Sequence, residues 1–228
     1  MIISFASSKG GVGKSTTAAA VAAGLALAGE RVQVIDLDQA QALSRWSRRV
    51  TIPGLAIAAV AREDFPAYFR DLQAGDPPDH VLIDLPGVRE TTVLKAIARS
   101  DLVVIPSQAS ELDLYEALRV VSDIRAVAAE TGRAVPYRLL LTKVFPLRTR
   151  VVDYAYAEMA RHGLPLFRTA LVERSVYKEQ FLTGRPPSLA EPDKGAGREI
   201  ADLIAEMQAV AAGEEGRGAA GWQAEHAA

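Results

Sequence analysis

Residues 8 to 15 read Ser-Lys-Gly-Gly-Val-Gly-Lys-Ser. A short apolar run, Ile2 to Ala6, precedes them, and an Ala-rich stretch without a charge, Thr16 to Gly29, follows. Strand, glycine loop, lysine, hydroxyl and helix in that order is the context required by the phosphate-loop pattern G-x-x-x-x-G-K-[ST], and only its first glycine is replaced, by Ser8. Such a loop places a ligand crevice at the carboxyl end of a strand, which narrows the fold to an open α/β sheet.

Each part of the loop has a physical purpose. Gly10, Gly11 and Gly13, with Val12 between them, let the backbone wrap closely around phosphates, and their N–H groups join the helix N-terminus in a positive cradle. Lys14 is placed to reach the β and γ phosphates, Ser15 to ligate Mg2+ through its hydroxyl, and Thr16 to close the α-phosphate end. The competing reading is a flexible glycine turn with accidental lysines; strand, spacing and helix together argue against it.

The remainder repeats the strand–helix alternation. Strands are expected at Ile2 to Ala6, Arg31 to Asp36, Leu55 to Val60, His80 to Asp84, Leu102 to Pro106, Arg138 to Thr142 and Leu166 to Ala170. Helices are expected at Lys14 to Ala28, Asp64 to Gln73, Arg89 to Arg99, Asp113 to Thr131, Arg150 to His162 and Gly197 to Ala212, with Gly29, Gly132 and Gly163 as stop signals. This predicts a single P-loop NTPase domain over residues 1–212, a doubly wound, mostly parallel sheet flanked by helices, and a flexible tail over 213–228. A chain of 228 residues is long enough for one such core.

Three aspartates end strands. Asp36 and Asp38 follow Val32 to Ile35, and two-residue spacing on extended backbone sends both side chains to one side. Carboxylates there can hold Mg2+ through water and orient an attacking water, although strand-end aspartates also serve as turn formers and caps. Val81-Leu82-Ile83-Asp84 has the form of a Walker B strand, with Asp84 a Mg2+ residue. Leu85-Pro86-Gly87 follows, where the Gly87 N–H could sense a γ-phosphate or Pro-Gly could simply form a turn.

The segment Lys9 to Thr16, KGGVGKST, resembles the deviant Walker A motif of the ParA/MinD family of P-loop ATPases, for which the extra lysine, Lys9, is distinctive. The resemblance spans roughly residues 1 to 205 and is nearest to the short ParA-type partition ATPases. It implies an ATP-sandwich homodimer in which Lys9 reaches the phosphates of the partner subunit, by the logic of an arginine finger. It further implies catalytic roles for Lys9, Lys14 and Asp38, a metal set of Ser15, Asp36 and Asp84, and Thr142 beside the base. ATP and Mg2+ are the implied cofactors. Gln39-Ala40 stands where the family has Pro-Gln after Asp38, which alters the first switch loop and bears on the hydrolysis rate.

For function, the resemblance implies nonspecific DNA binding by the ATP dimer and hydrolysis stimulated by a ParB-like adaptor, so that plasmid or chromosomal DNA is segregated. The alternatives are positioning of a protein cargo, such as a chemoreceptor cluster or secretion complex, and a metabolic P-loop kinase or ligase. Because the first strand begins at residue 2, no N-terminal helix-turn-helix is expected. The absence of cysteine removes thiolate metal sites and iron–sulfur relatives. No export signal is expected at the N-terminus, and no uncharged run reaches the ~20 residues of a membrane span, so the expected location is cytoplasmic, and on the nucleoid when ATP is bound. The net charge of −2 gives no general polyanion affinity, but residues 138 to 185 carry nine lysines or arginines against four acids. Arg148, Arg150, Arg168, Arg174 and Lys178 are the expected DNA contacts there, scattered surface arginines being the competing reading. Trp46, with Arg45, Arg48 and Arg49, lies beyond the Asp38 loop; an amphipathic helix with its tryptophan in the core explains it, and a partner contact is the alternative.

Overall fold

The computed structural model describes residues 1–88, 90–146 and 150–214. Six strands are assigned in chain order: β1 (Ile2–Phe5), β2 (Val32–Asp36), β3 (Leu55–Ala59), β4 (His80–Asp84), β5 (Leu102–Ser107) and β6 (Tyr137–Leu141). They form one sheet in the order β3-β2-β4-β1-β5-β6, with every pairing parallel. The chain runs from β1 out to β2 and β3, returns to insert β4 beside β1, and then continues outward on the other side through β5 and β6, so the phosphate loop that follows β1 lies in the middle of the sheet's carboxyl edge.

Strand periodicity divides the core in two. Ile3, Phe5, Val32, Val34, Leu82, Leu102, Val104 and Leu140 face one side, while Ile35, Val81, Ile83, Val103, Ile105, Leu139 and Leu141 face the other. The first layer is covered by α1 (Lys14–Leu27), α2 (Ala42–Trp46), α7 (Ser175–Thr183) and α9 (Gly195–Ala211). The second is covered by α3 (Phe65–Ala74), α4 (Thr91–Ile97), α5 (Glu111–Thr131) and α6 (Arg150–Arg161). Such strands are buried on both faces, which is why they read as continuous apolar runs. The short α8 (Pro187–Ala190) packs on α9. No helix among the described residues is long and apolar enough to cross a membrane.

Two expectations change. Leu166 to Ala170 is not a strand: Leu166 makes one isolated parallel bridge to Leu139, and the N–H groups of Arg168 and Thr169 donate instead to the Glu206 carboxylate on α9, at 2.7 and 2.8 Å. A side chain has taken the donors a ladder would use. Helices α7 and α8, not anticipated from the sequence, fill the space beside α1. The first is stopped by Gly184 in the left-handed region (φ 73), a signal that periodicity alone passes over.

Candidate functional site

The loop after β1 is built for close approach. Gly11 and Gly13 adopt φ 81 and 90, a region that costs an ordinary side chain about 1–2 kcal/mol. Gly13 is also the N-cap of α1, no side chain caps that helix, and its first turn holds no acid. Its leading N–H groups and the positive end of its dipole therefore face the crevice. Gly10 and Gly11 are exposed, whereas Val12 is buried and anchors the loop.

Lys14, 7% exposed, leads α1 and pairs with Asp84 Oδ1 at 2.7 Å and Asp38 Oδ2 at 3.3 Å. Ser15 Oγ donates to Asp84 Oδ2 at 2.5 Å. Burial pushes the Asp84 carboxyl up, and Lys14 and Ser15 oppose that shift. For Asp38, burial also acts upward, but the Ala40 N–H, the Lys14 ammonium and the Arg62 guanidinium outweigh it and hold the group below its ordinary range. Asp38 is the more exposed of the two carboxylates and the more readily kept ionised.

Asp36 adjoins Asp84 in the β2–β4 register, yet its carboxylate is turned to its own loop. Oδ1 accepts from the Asp38 N–H at 3.2 Å, and Oδ2 accepts from Ser44 N and Oγ at 3.0 and 3.1 Å. It thus fixes the Asp38 loop and the start of α2 from behind. Gln41, between them, takes a left-handed φ of 46, which for a residue other than glycine is a local strain held by these bonds.

Thr142 is 3% exposed, and its hydroxyl donates to the Val12 carbonyl at 2.7 Å, bracing the glycine loop from β6. A Cβ built on Gly87 would come to ordinary contact distance of the Ser7 and Lys9 backbone, so the segment after Asp84 runs alongside the loop. Thr16 lies one residue past Ser15, and its carbonyl accepts from Gln180 of α7 at 3.2 Å.

Lys9 Nζ donates to Asp113 Oδ1 at 2.8 Å, while Ser8 Oγ donates to the Glu116 carbonyl at 2.8 Å. The front of the loop is therefore docked on the first turn of α5, where Ser110 caps the helix through the Asp113 N–H. Several further side chains meet at this edge. Lys143 (φ 52) donates to the Gly11 carbonyl at 2.6 Å, and Gln108 reaches the same oxygen at 3.4 Å. Arg62, after β3, bonds Glu90 at 2.5 Å and the Leu37 carbonyl at 3.5 Å, bridging the loops that follow Asp36 and Asp84. Sequence spacing could not find these residues, because each comes from a different strand end.

Two of the expected DNA contacts are held in ion pairs. Arg174 pairs with Glu199 at 2.9 Å and Lys178 with Glu173 at 3.0 Å, which neutralises both. Arg150 and Arg168 are exposed on separate elements, and Arg148 lies outside the described residues.

The donor set suits a nucleotide with a hard cation. The cradle is cationic and built of backbone N–H groups, and Ser15 with Asp84 offers oxygen ligands beside it, the type Mg2+ takes when phosphates and water complete its shell. No cluster of three or more His, Cys, Asp or Glu placed to hold a metal ion occurs among the described residues.

Residues 1–182 match the family model described as VirC1 protein. Protein ParA of Rhizobium radiobacter is 30% identical over 185 residues, 80% of this chain and 83% of that protein. The maintenance of carboxysome distribution protein A of Gloeobacter kilaueensis is also 30% identical over 185 residues, covering 80% and 82%. Among solved structures, the septum site-determining protein MinD of Pyrococcus horikoshii, complexed with Mg-ADP, superposes with a TM-score of 0.68 at 17% identity, over 94% of this chain and 98% of that one. The last likeness is one of fold.

Proposed function

Because the chain belongs to the VirC1 family of ParA/MinD-type P-loop ATPases, a group of partition and positioning proteins, we propose that it hydrolyses ATP as a sandwich dimer riding on nonspecific DNA. In this reading residues 1–212 act as one cytoplasmic domain, nucleoid-associated when ATP-bound, and a ParB-like adaptor stimulates turnover to segregate plasmid or chromosomal DNA. The carrying observation is the meeting of Lys14, Asp38 and Asp84 within 3.3 Å at the mouth of an uncapped α1.

Placement and the family resemblance together support the following roles. The N–H groups of Gly10 to Ser15 and the Lys14 ammonium bind and orient the phosphates, supported by Thr16. Ser15 and Asp84 would hold Mg2+, which when bound neutralises charge on the β and γ oxygens. Asp38, kept ionised, orients the attacking water, and Asp36 holds the Asp38 loop in position rather than meeting the metal directly. Gly87 links the γ-phosphate position to the segment after β4. Thr142 supports the loop from the base side. Lys9, at the rim, serves the partner subunit's nucleotide once released from Asp113.

Positioning of a protein cargo is the second reading, favoured by the likeness to the carboxysome distribution protein. The test is binding of Asp38→Ala protein to nonspecific duplex DNA without nucleotide, with ADP and with ATP at two salt concentrations. ATP-selective, salt-sensitive retention is expected; ATP-driven dimerisation without DNA affinity would give the second reading precedence, and neither would refute both.

A further inference from the structure

Helix α2 carries Arg45, and the turn that continues it carries Arg48 and Arg49, all three exposed. Spacings of three and four residues put them on one face. The opposite face is fixed: Trp46 is 1% exposed, donates from Nε1 to the Gln180 carbonyl at 2.9 Å, and lies 6.0 Å from the Phe181 ring of α7. The end of α7 closes on the same place. Gly184 sits so near the Arg49 carbonyl that a Cβ would overlap it, and its left-handed φ favours glycine. The next residue, Arg185, is thereby held beside Arg49 and is exposed as well. These four arginines form no ion pair with the described acids, in contrast to Arg174 and Lys178.

We propose that Arg45, Arg48, Arg49 and Arg185 form the principal surface that contacts the phosphate backbone of duplex DNA. The inference rests on the DNA-riding reading above and assigns its interface to the α2–α7 junction rather than to the basic segment from residue 138 onward. Four guanidiniums with no ion-pair partner among the described acids, on a packed base, are the charge complement of a polyanion. The nucleotide site touches this surface directly. The N–H and hydroxyl of Ser44, one residue before Arg45, are held by Asp36, whose other oxygen holds Asp38. A shift of the Asp38 loop on nucleotide exchange therefore moves α2, and DNA affinity would follow nucleotide state through that bond.

The experiment compares wild type, the fourfold Arg→Ala variant and the fourfold Arg→Lys variant at positions 45, 48, 49 and 185. Binding of a fluorescent mixed-sequence duplex is measured with ATP and Mg2+ across a salt series, with the thermal midpoint as the check of folding. Alanine is expected to weaken binding at least about tenfold and to flatten the plot of log affinity against log salt by roughly two to four, while lysine preserves both. Unchanged affinity in the alanine variant overturns this assignment and leaves the DNA-riding reading standing. Loss in the lysine variant too marks packing rather than charge as the cause and overturns it. Wild type that ignores DNA but binds anionic vesicles overturns both the assignment and the reading beneath it.

Discussion

Releasing Lys9 should tighten the ATP dimer. Asp113→Asn keeps an oxygen for Ser110 and leaves the Ser110 cap on the residue 113 N–H, but removes the charge that holds Lys9 at 2.8 Å. Asp113 is 4% exposed and Lys9 37%, so the pair is a charge-assisted bond with one partner open to solvent screening. That places its contribution at about 0.5–1 kcal/mol for each protomer. Two copies are released per dimer, about 1–2 kcal/mol in all, which corresponds to a roughly fivefold to thirtyfold lower dimer dissociation constant. Sedimentation equilibrium with ATP and with ADP measures it; only the ATP value should fall. An unchanged or weaker ATP dimer, in a variant that unfolds at the wild-type temperature, would refute the idea that Asp113 withholds Lys9 from the partner.

Three further outcomes follow from other parts of the molecule. Arg62→Gln should leave ATP affinity intact but lower kcat roughly threefold to thirtyfold, since the residue joins the two switch loops and helps keep Asp38 ionised without lying in the phosphate cradle; single-turnover kinetics would show it, and an unaltered kcat would contradict it. Burial pushes His80 below its ordinary 6.5, with the N-terminal ammonium adding to the effect and Glu30 and Asp79 opposing it. The folded chain then favours neutral imidazole, so stability is full above about pH 6.5 and falls as the pH drops toward the folded value, because the unfolded chain takes up the proton more readily. Urea midpoints at pH 7.5 and 5.5 should differ, and His80→Asn should shrink the difference. Gly197→Ala should destabilise by about 1–3 kcal/mol despite the gain in helix propensity, since its methyl would overlap the Glu191 carbonyl and crowd that of Pro187; a urea midpoint at or above wild type would show that α8 and α9 yield.

Much of the fold is legible in the chain because buried parallel strands must be apolar along their whole length. The apolar runs bound His80 to Asp84 to the residue and five other strands to within one residue at either end. The phosphate loop is equally local: glycine conformations, a lysine and a hydroxyl at the head of a helix are properties of consecutive residues. Asp84 is legible for the same reason, since it ends a run of strand, whereas Asp38 lies two residues past the end of β2 and its role is what the family resemblance implies.

Tertiary structure decided everything that depends on which strand ends are neighbours. Parity on the strand predicts that Asp36 and Asp38 share a side, but only folding set Asp36 beside Asp84 and turned its carboxylate to Ser44. Thr142, Lys143 and Arg62 reach the loops from β6 and β3, across sequence distances no spacing rule spans. Charge behaved likewise. The excess of arginine and lysine from residue 138 onward was visible in the sequence, yet acids brought in from α9 and nearby neutralise part of it. Meanwhile the packing of Trp46 on α7 sets Arg45, Arg48 and Arg49 beside Arg185. Periodicity reports which residues are buried; the partner of each exposed charge is fixed only when distant segments meet.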